Sequence, residues 1–474
     1  MSEQTLQKKK FNFASYGAVV AFLCLEILAF ISFNLGHSFV LYGSLSLALG
    51  LILLLVTFRQ IKMDGISSFA FFLFPILIYG VLTALSTFSR YSLGYLSTAE
   101  VVFIPIALTF ISLAGYLTSF IERFKIRNAL IVIYGALAIF VAINLLVTMI
   151  YYKPFYTLIY QNSYTFYAGR PSVAPIGTMA YMLYGFSFVE VSVDYWSFFP
   201  SILLTAVIPL FFMKYKDNKK EFILYIIFTV IAFLSLLFTI TKFTLLCDLV
   251  LILGIVSIIL CGKFMKVRKV IDWLVIIVLG LALIVIVLLF IMTNGWGNGL
   301  KNILSKSVLL NKIFISNRFA TNFSTIMKDM FSSWKIFGCY IGDQSYNYPN
   351  FESQIVSNSW LFDNIMSSGI FGAIFFLLAI VIGIRRMFKY YQNSDDSLAN
   401  KLSIFGFVLA TLVIGVINYD VTPLINSDSL SPFYTSSPLL ISLFLISYCF
   451  AKSNKLGEKK EATKKEDDTY EIKA

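Results

Sequence analysis

Charge is what this 474-residue chain has least of: Asp, Glu, Lys and Arg make up 13% of it, against 58% apolar residues. A soluble protein carries roughly a quarter charged residues and less than half apolar ones. Polar surface this scarce cannot clothe a water-soluble globule, and the composition excludes disordered and fibrous classes as well. Histidine is reduced to His37, and the five cysteines (Cys24, Cys247, Cys261, Cys339, Cys449) are an odd, scattered set. Neither a disulfide framework nor a zinc centre fits that spacing. No GxxxxGK[ST] loop, GxSxG elbow or HExxH helix occurs, so nucleotide-driven, serine-hydrolase and zinc chemistry have no support. Asp343, Glu352 and Asp363 form no metal-binding pattern. No metal and no cofactor is expected.

What fills the chain instead is long apolar runs, with a mean hydropathy of +0.82. A bilayer core needs about 20 mostly apolar residues per helix. Twelve stretches qualify or nearly so: roughly 13–33, 38–57, 66–86, 101–120, 128–150, 196–213, 222–240, 243–262, 271–292, 369–384, 402–418 and 433–450. The run 222–262 would be about 60 Å long as one helix, twice the membrane thickness. It must break, and its polar point is Thr239-Ile240-Thr241-Lys242. The expected fold is an all-α polytopic membrane protein of about twelve transmembrane helices, with a large extracytoplasmic loop carrying short helices. Lys8-Lys9-Lys10 precede a run that is long enough to span and has no small-residue cleavage site, which reads as a first span rather than a leader.

The net charge of +12 is one of placement. With the N terminus inside, every second connection is basic: Arg59 and Lys62; Arg123, Lys125 and Arg127; Lys214 to Lys220; Lys263 to Lys269; Arg385, Arg386, Lys389 and Lys401. This is the positive-inside pattern, not a nucleic-acid footprint. It puts both termini in the cytoplasm. The organisation expected is a bundle over 1–292 with an outer loop at 151–195, a large outer loop at 293–368, three spans over 369–450 and a disordered tail at 451–474. The semi-apolar stretch 176–193 reads as re-entrant or interfacial, because a span there would move the Lys214–Lys220 cluster outside. Residues 302–331 read as a pair of interfacial amphipathic helices. No internal repeat emerges, which weakens an inverted-repeat transporter reading.

Chemistry in such a protein belongs to polar residues at membrane depth and to large loops on one side. Span interiors are almost free of charge, apart from Glu26 and Asp248. The large loop holds, in order, Ser316-Asn317-Arg318-Phe319, Trp334-Lys335-Ile336-Phe337-Gly338 with Gly342, and Val356-Ser357-Asn358-Ser359-Trp360-Leu361. Gly369-Ile370-Phe371-Gly372 then opens the next span. This order resembles the large outer loop of O-antigen ligases and of O-antigen or capsule repeat-unit polymerases. Leu237 to Phe243 is similar to that family's Thr-x-Ser-Arg-Gly turn, with Lys242 in the basic place. Gly169-Arg170-Pro171-Ser172 is similar to its earlier loop arginine. The resemblance covers about residues 165–385.

The resemblance implies a membrane glycosyltransferase at the outer face of the bacterial cytoplasmic membrane. Its donor and acceptor would be undecaprenyl-diphosphate-linked glycans, with membrane lipids around it and a flippase and chain-length regulator as further partners. A diphosphate leaving group needs fixed positive charge where negative charge develops, and arginine offers a bidentate fork. Arg318, Arg170 and Lys242 are the catalytic cations expected, with Arg90 as a further substrate-binding one. Ligases of this family place a histidine before Asn-Ser; here that place holds Ser357 or Asn358, neither able to act as a base near neutral pH. Asp363, beside the motif, is the titratable group left, which favours polymerase over ligase. Its plain alternative is a helix-capping or surface charge. Tyr164 and Tyr167, in a tyrosine-dense loop, suit a sugar groove by stacking and hydroxyl bonding, or equally an aromatic belt. A same-fold ligase and a lipid-linked oligosaccharide flippase are the rivals.

Overall fold

The computed structural model describes residues 66–88, 98–120, 125–152, 166–167, 170–171, 193–214, 219–239, 252–254, 302–303, 305–306, 360–394, 396–418 and 439–453. The principal helices are α1 (Ile66–Phe88), α2 (Thr98–Thr118), α3 (Ile126–Tyr152), α4 (Val193–Lys214), α5 (Lys219–Thr239), α6 (Trp360–Asn393), α7 (Leu398–Asn418) and α8 (Leu439–Ser453). A hairpin of two-residue strands, β1 (Phe166–Tyr167) and β2 (Arg170–Pro171), stands between α3 and α4. Among the described residues three helices are long and apolar enough to cross a membrane, through Ser68–Leu85, Ile126–Ile143 and Ser368–Asn393. The sequence spans 13–33, 38–57, 243–262 and 271–292 lie almost wholly outside the described residues, as do 176–192 and most of 302–331.

Away from water every backbone amide must bond internally, so a long apolar run becomes a helix. Polar side chains within these runs obey the same demand. Thr83, Thr109, Ser112, Thr118, Thr205, Thr229 and Thr411 each donate to the carbonyl four residues back, at 2.6 to 2.9 Å. That removes the cost of an unbonded hydroxyl without a partner helix. Prolines 75, 105, 200 and 209 sit inside helices, where an isolated water-soluble helix would break.

Packing falls into two groups. In the first, α1 lies against α2 and α6, and α8 closes the group. A Cβ on Gly115 would stand 2.2 Å from the Phe444 carbonyl oxygen of α8, and one on Gly80 would stand 2.7 Å from Pro105 Cα of α2. Phe69 of α1 stacks on Tyr116 of α2 at 4.0 Å between ring centres and meets Phe450 of α8 edge-on at 5.8 Å. In the second, α4 lies against α5 and α7, with α3 beside α5 and α4. The Ser403 hydroxyl donates to the Ala206 carbonyl at 2.7 Å, so the Tyr134 hydroxyl, 2.8 Å away, donates to Ser403. One buried serine thus ties α3, α4 and α7 together.

The α6–α7 connection joins the groups and is tightly capped. Asp396 accepts from Tyr390 at 2.6 Å and from Ser394 at 3.0 Å, while the Lys401 ammonium bonds the carbonyls of Tyr391 and Ser394. Those carbonyls are among the orphans a helix C terminus leaves behind. Ser397 accepts the Asn400 amide at 3.4 Å, the N-cap arrangement that starts α7.

Contacts fix helix directions. Arg127 bonds Glu221 at 2.6 Å, so α3 and α5 begin at the same end. Phe211 stacks on Phe222 at 5.2 Å, so α4 ends where α5 begins. Phe69 against Tyr116 and Phe450, and Tyr390 against Tyr448 at 6.2 Å, bring the start of α1 and the ends of α2, α6 and α8 together likewise. The basic helix ends of each group, with Lys125, Arg127, Lys219 and Lys220 in one and Arg385, Arg386 and Lys389 in the other, are thereby gathered, and the α6–α7 turn joins them. Tyr152 and Val193, which close α3 and open α4, both fall at the opposite end. A single crossing between them would require α4 to run the other way.

Candidate functional site

Of the sequence-predicted residues, Tyr167, Arg170 and Asp363 fall among the described ones. Arg90 lies outside the described residues, two positions past Phe88, where α1 stops. Lys242 also lies outside them, three positions past Thr239, the last described residue of α5, and the rest of the polar break expected at 239–242 falls with it outside the described residues. Arg318, Ser357, Asn358 and Tyr164 lie outside the described residues too.

Two of the predicted residues are brought together. Tyr167 and Arg170 are register partners in the β1–β2 hairpin, with Phe166 opposite Pro171. The two residues between the strands are Ala168 and Gly169, a short connection of the kind hairpins favour. The two strands therefore bring an arginine and a tyrosine of the tyrosine-rich stretch directly opposite each other along the backbone.

Asp363 is in the first turn of α6, three residues after Trp360, and so is past the cap position. The helix does not continue smoothly from there. Gly369 has φ 73° and ψ −177°, and breaks α6 into a segment through Ser368 and a longer helix from Ile370. That region of backbone space is open essentially to glycine alone. The chain closes so tightly over the break that a Cβ on Gly372 would stand 2.3 Å from both Cβ and Oγ of Ser368. Ser368 is fully buried. Each glycine of Gly369-Ile370-Phe371-Gly372 thus has its own reason: the first for its dihedral angles, the second for the approach of Ser368. The short helix bearing Asp363 is set off from the membrane-length helix by this turn.

Sequence reasoning did not anticipate Ser368 against Gly372, although small residues four apart are a signal for close approach. Nor did it anticipate the Tyr134–Ser403–Ala206 link or the Arg127–Glu221 pair. The latter joins a cation 45% exposed to a carboxylate 9% exposed, in the first turn of α5 where negative charge suits the helix dipole. Among the described residues no three His, Cys, Asp or Glu side chains gather as a metal site. The chain matches no protein-family model and no curated protein.

Proposed function

We propose that this chain is a polysaccharide polymerase that joins undecaprenyl-diphosphate-linked oligosaccharide repeat units at the outer face of a bacterial cytoplasmic membrane. The observation that carries the reading is a shared end. The helix ends that precede Arg90 and Lys242, the two helix ends that flank the loop of Tyr167 and Arg170, and the segment bearing Asp363 all belong to the end opposite the gathered basic residues. Lys and Arg bias assigns the basic end to the cytoplasm. Arg90, Arg170, Lys242 and Arg318, read as lying on the other side, run against that bias, as expected of residues with a task there.

In this reading the growing chain on its diphosphate lipid is the donor, and a hydroxyl of the incoming lipid-linked repeat is the nucleophile. The oxygen attacks the anomeric carbon, the bond to the diphosphate oxygen breaks, and the hydroxyl proton passes to Asp363. Arg318, Arg170 and Lys242 neutralise the departing diphosphate, with Arg90 at its edge. Ser357 and Asn358 hydrogen-bond sugar hydroxyls, and Tyr164 and Tyr167 give the sugars a surface to stack on.

The test is a glycan ladder. Deleting the gene should leave single lipid-linked repeats to accumulate, and complementation should restore long polymer. Arg318→Lys keeps the charge and loses the fork, so polymer should fall strongly while protein level persists. Asp363→Asn should lower turnover of purified enzyme about 10²–10⁴-fold, the usual worth of a general base. Normal ladders from Arg318→Lys would remove the diphosphate role, and parental turnover by Asp363→Asn would remove the base.

A further inference from the structure

We propose that the outward face of α6 binds an anionic phospholipid of the surrounding bilayer, with Arg385 and Lys389 on its headgroup phosphate. The face is one unbroken helical row: Phe371, Ile374, Leu378, Val381, Arg385 and Lys389 recur at steps of three and four residues. Its apolar members are 50%, 53%, 44% and 61% exposed, and both cations are exposed as well. At 1.5 Å per residue, Phe371 to Val381 covers about 15 Å, roughly the depth of one leaflet's hydrocarbon. An acyl chain laid along the row would bring its phosphate to the two cations.

Two neighbouring cations are already engaged. Arg386, one position round the helix, lies over the Phe450 ring at 4.6 Å from its centre. Lys401 caps the end of α6 through the Tyr391 and Ser394 carbonyls. The nearby carboxylate of Asp396 is taken by Tyr390 and Ser394. Among the described residues the one ion pair is Arg127 with Glu221, so no acid there neutralises Arg385 or Lys389. Like charges four apart on a helix repel each other, and a bridging phosphate turns that repulsion into attraction. The row on α5 offers an internal comparison, since Ile223, Ile227 and Val230 are exposed in the same way but lead to Lys219 and Lys220, which are adjacent in sequence and not a pair one turn apart.

This inference requires only that the helices lie in a membrane and does not depend on the polymerase reading. The full-length protein would be placed in nanodiscs of phosphatidylcholine with about 30% phosphatidylglycerol, and retained lipid measured by native mass spectrometry. Each cation near an anionic surface strengthens attraction about fivefold, so Arg385→Gln with Lys389→Gln should weaken phosphatidylglycerol retention about 30-fold. Arg385→Lys with Lys389→Arg should keep it, which also shows that altered folding is not the cause. Lys219→Gln should leave most of it. Equal retention by the Gln pair overturns the site. So does an equally large loss from Lys219→Gln, because diffuse attraction to the whole basic end would then suffice.

Discussion

The helices around α1 and α6 hold together by different means from those around α4. In the first group backbones meet closely: Gly80 opposes Pro105, Gly115 opposes Phe444, and Gly383 leaves room that a Cβ would lose to Ile446 at 2.7 Å. Rings fill the gaps, as Tyr79 does against Phe376 at 4.8 Å. In the second group Gly135 has ordinary space, with Phe228 Cζ 3.6 Å from a Cβ placed there. That group is joined by the Ser403 relay and the Arg127–Glu221 pair instead. Between helices in lipid the hydrophobic effect gives no drive, so close packing and polar bonds are the two remaining sources of specificity. Among the described residues the tight glycine contacts fall in the first group and the interhelical polar bonds in the second.

The largest expected effect tests that contrast directly. Gly115→Ala places a methyl 2.2 Å from a backbone carbonyl, which no rotamer change relieves. The helices must separate, at a cost of about 3 kcal/mol, the upper part of the usual overpacking range. Gly135→Ala should be neutral or mildly stabilising, since alanine is the better helix former and the space is open. Thermal melting of the purified protein in detergent reads both. Equal destabilisation by the two alanines would abolish the distinction between the groups.

Next comes the ion pair. Arg127→Gln leaves the Glu221 carboxylate buried without its cation, which in a fully buried pair costs about 3–5 kcal/mol. Arg127 is 45% exposed, so water and headgroups soften the loss, and about 2 kcal/mol is expected. Arg127→Met combined with Glu221→Leu should recover most of it, because replacing both charges removes the desolvation problem. A double variant as unstable as the single one would mean that the charges, and not the burial of one of them, hold α3 to α5.

How much of this was legible beforehand differs by level. Helix positions were close: expected spans at 66–86 and 128–150 correspond to Ile66–Phe88 and Ile126–Tyr152. The span at 369–384 was the poorest match, since α6 runs from Trp360 to Asn393. Hydropathy falls at Arg385 and Arg386, but a helix need not stop where its side chains become charged, and long cationic side chains reach out to the headgroups from inside it. At the other end Gly369 marked the right place, while the short helix before it was hidden because Asp363 and Asn364 interrupt its apolar residues and the segment is far too short to read as a span. Partner choice was not legible at all. These helices are apolar on most faces, so periodicity does not say which side meets which neighbour, and only the geometry picks Gly115 for contact and Gly135 for space. Of the candidate site, residue types and their order were readable in the chain; the pairing of Tyr167 with Arg170 needed the strand register.

The smallest effect concerns the relay within the second group, where the order of donors matters. Ser403 spends its proton on the Ala206 carbonyl, so Tyr134 is the donor to Ser403, and both hydroxyls are buried. Tyr134→Phe removes one bond and leaves no polar atom stranded, because Ser403 still has its acceptor. An interhelical hydrogen bond in a membrane protein averages about 0.6 kcal/mol, and that is the loss expected. Ser403→Ala should cost about 1 kcal/mol more, since it leaves the Tyr134 hydroxyl buried without a partner. Adding Tyr134→Phe to Ser403→Ala should then win back part of that loss, an inversion of sign relative to the parental background. If the second substitution destabilises the Ser403→Ala protein further, the tyrosine is held by packing in its pocket and the hydroxyl chain is not what joins α3 to α4 and α7.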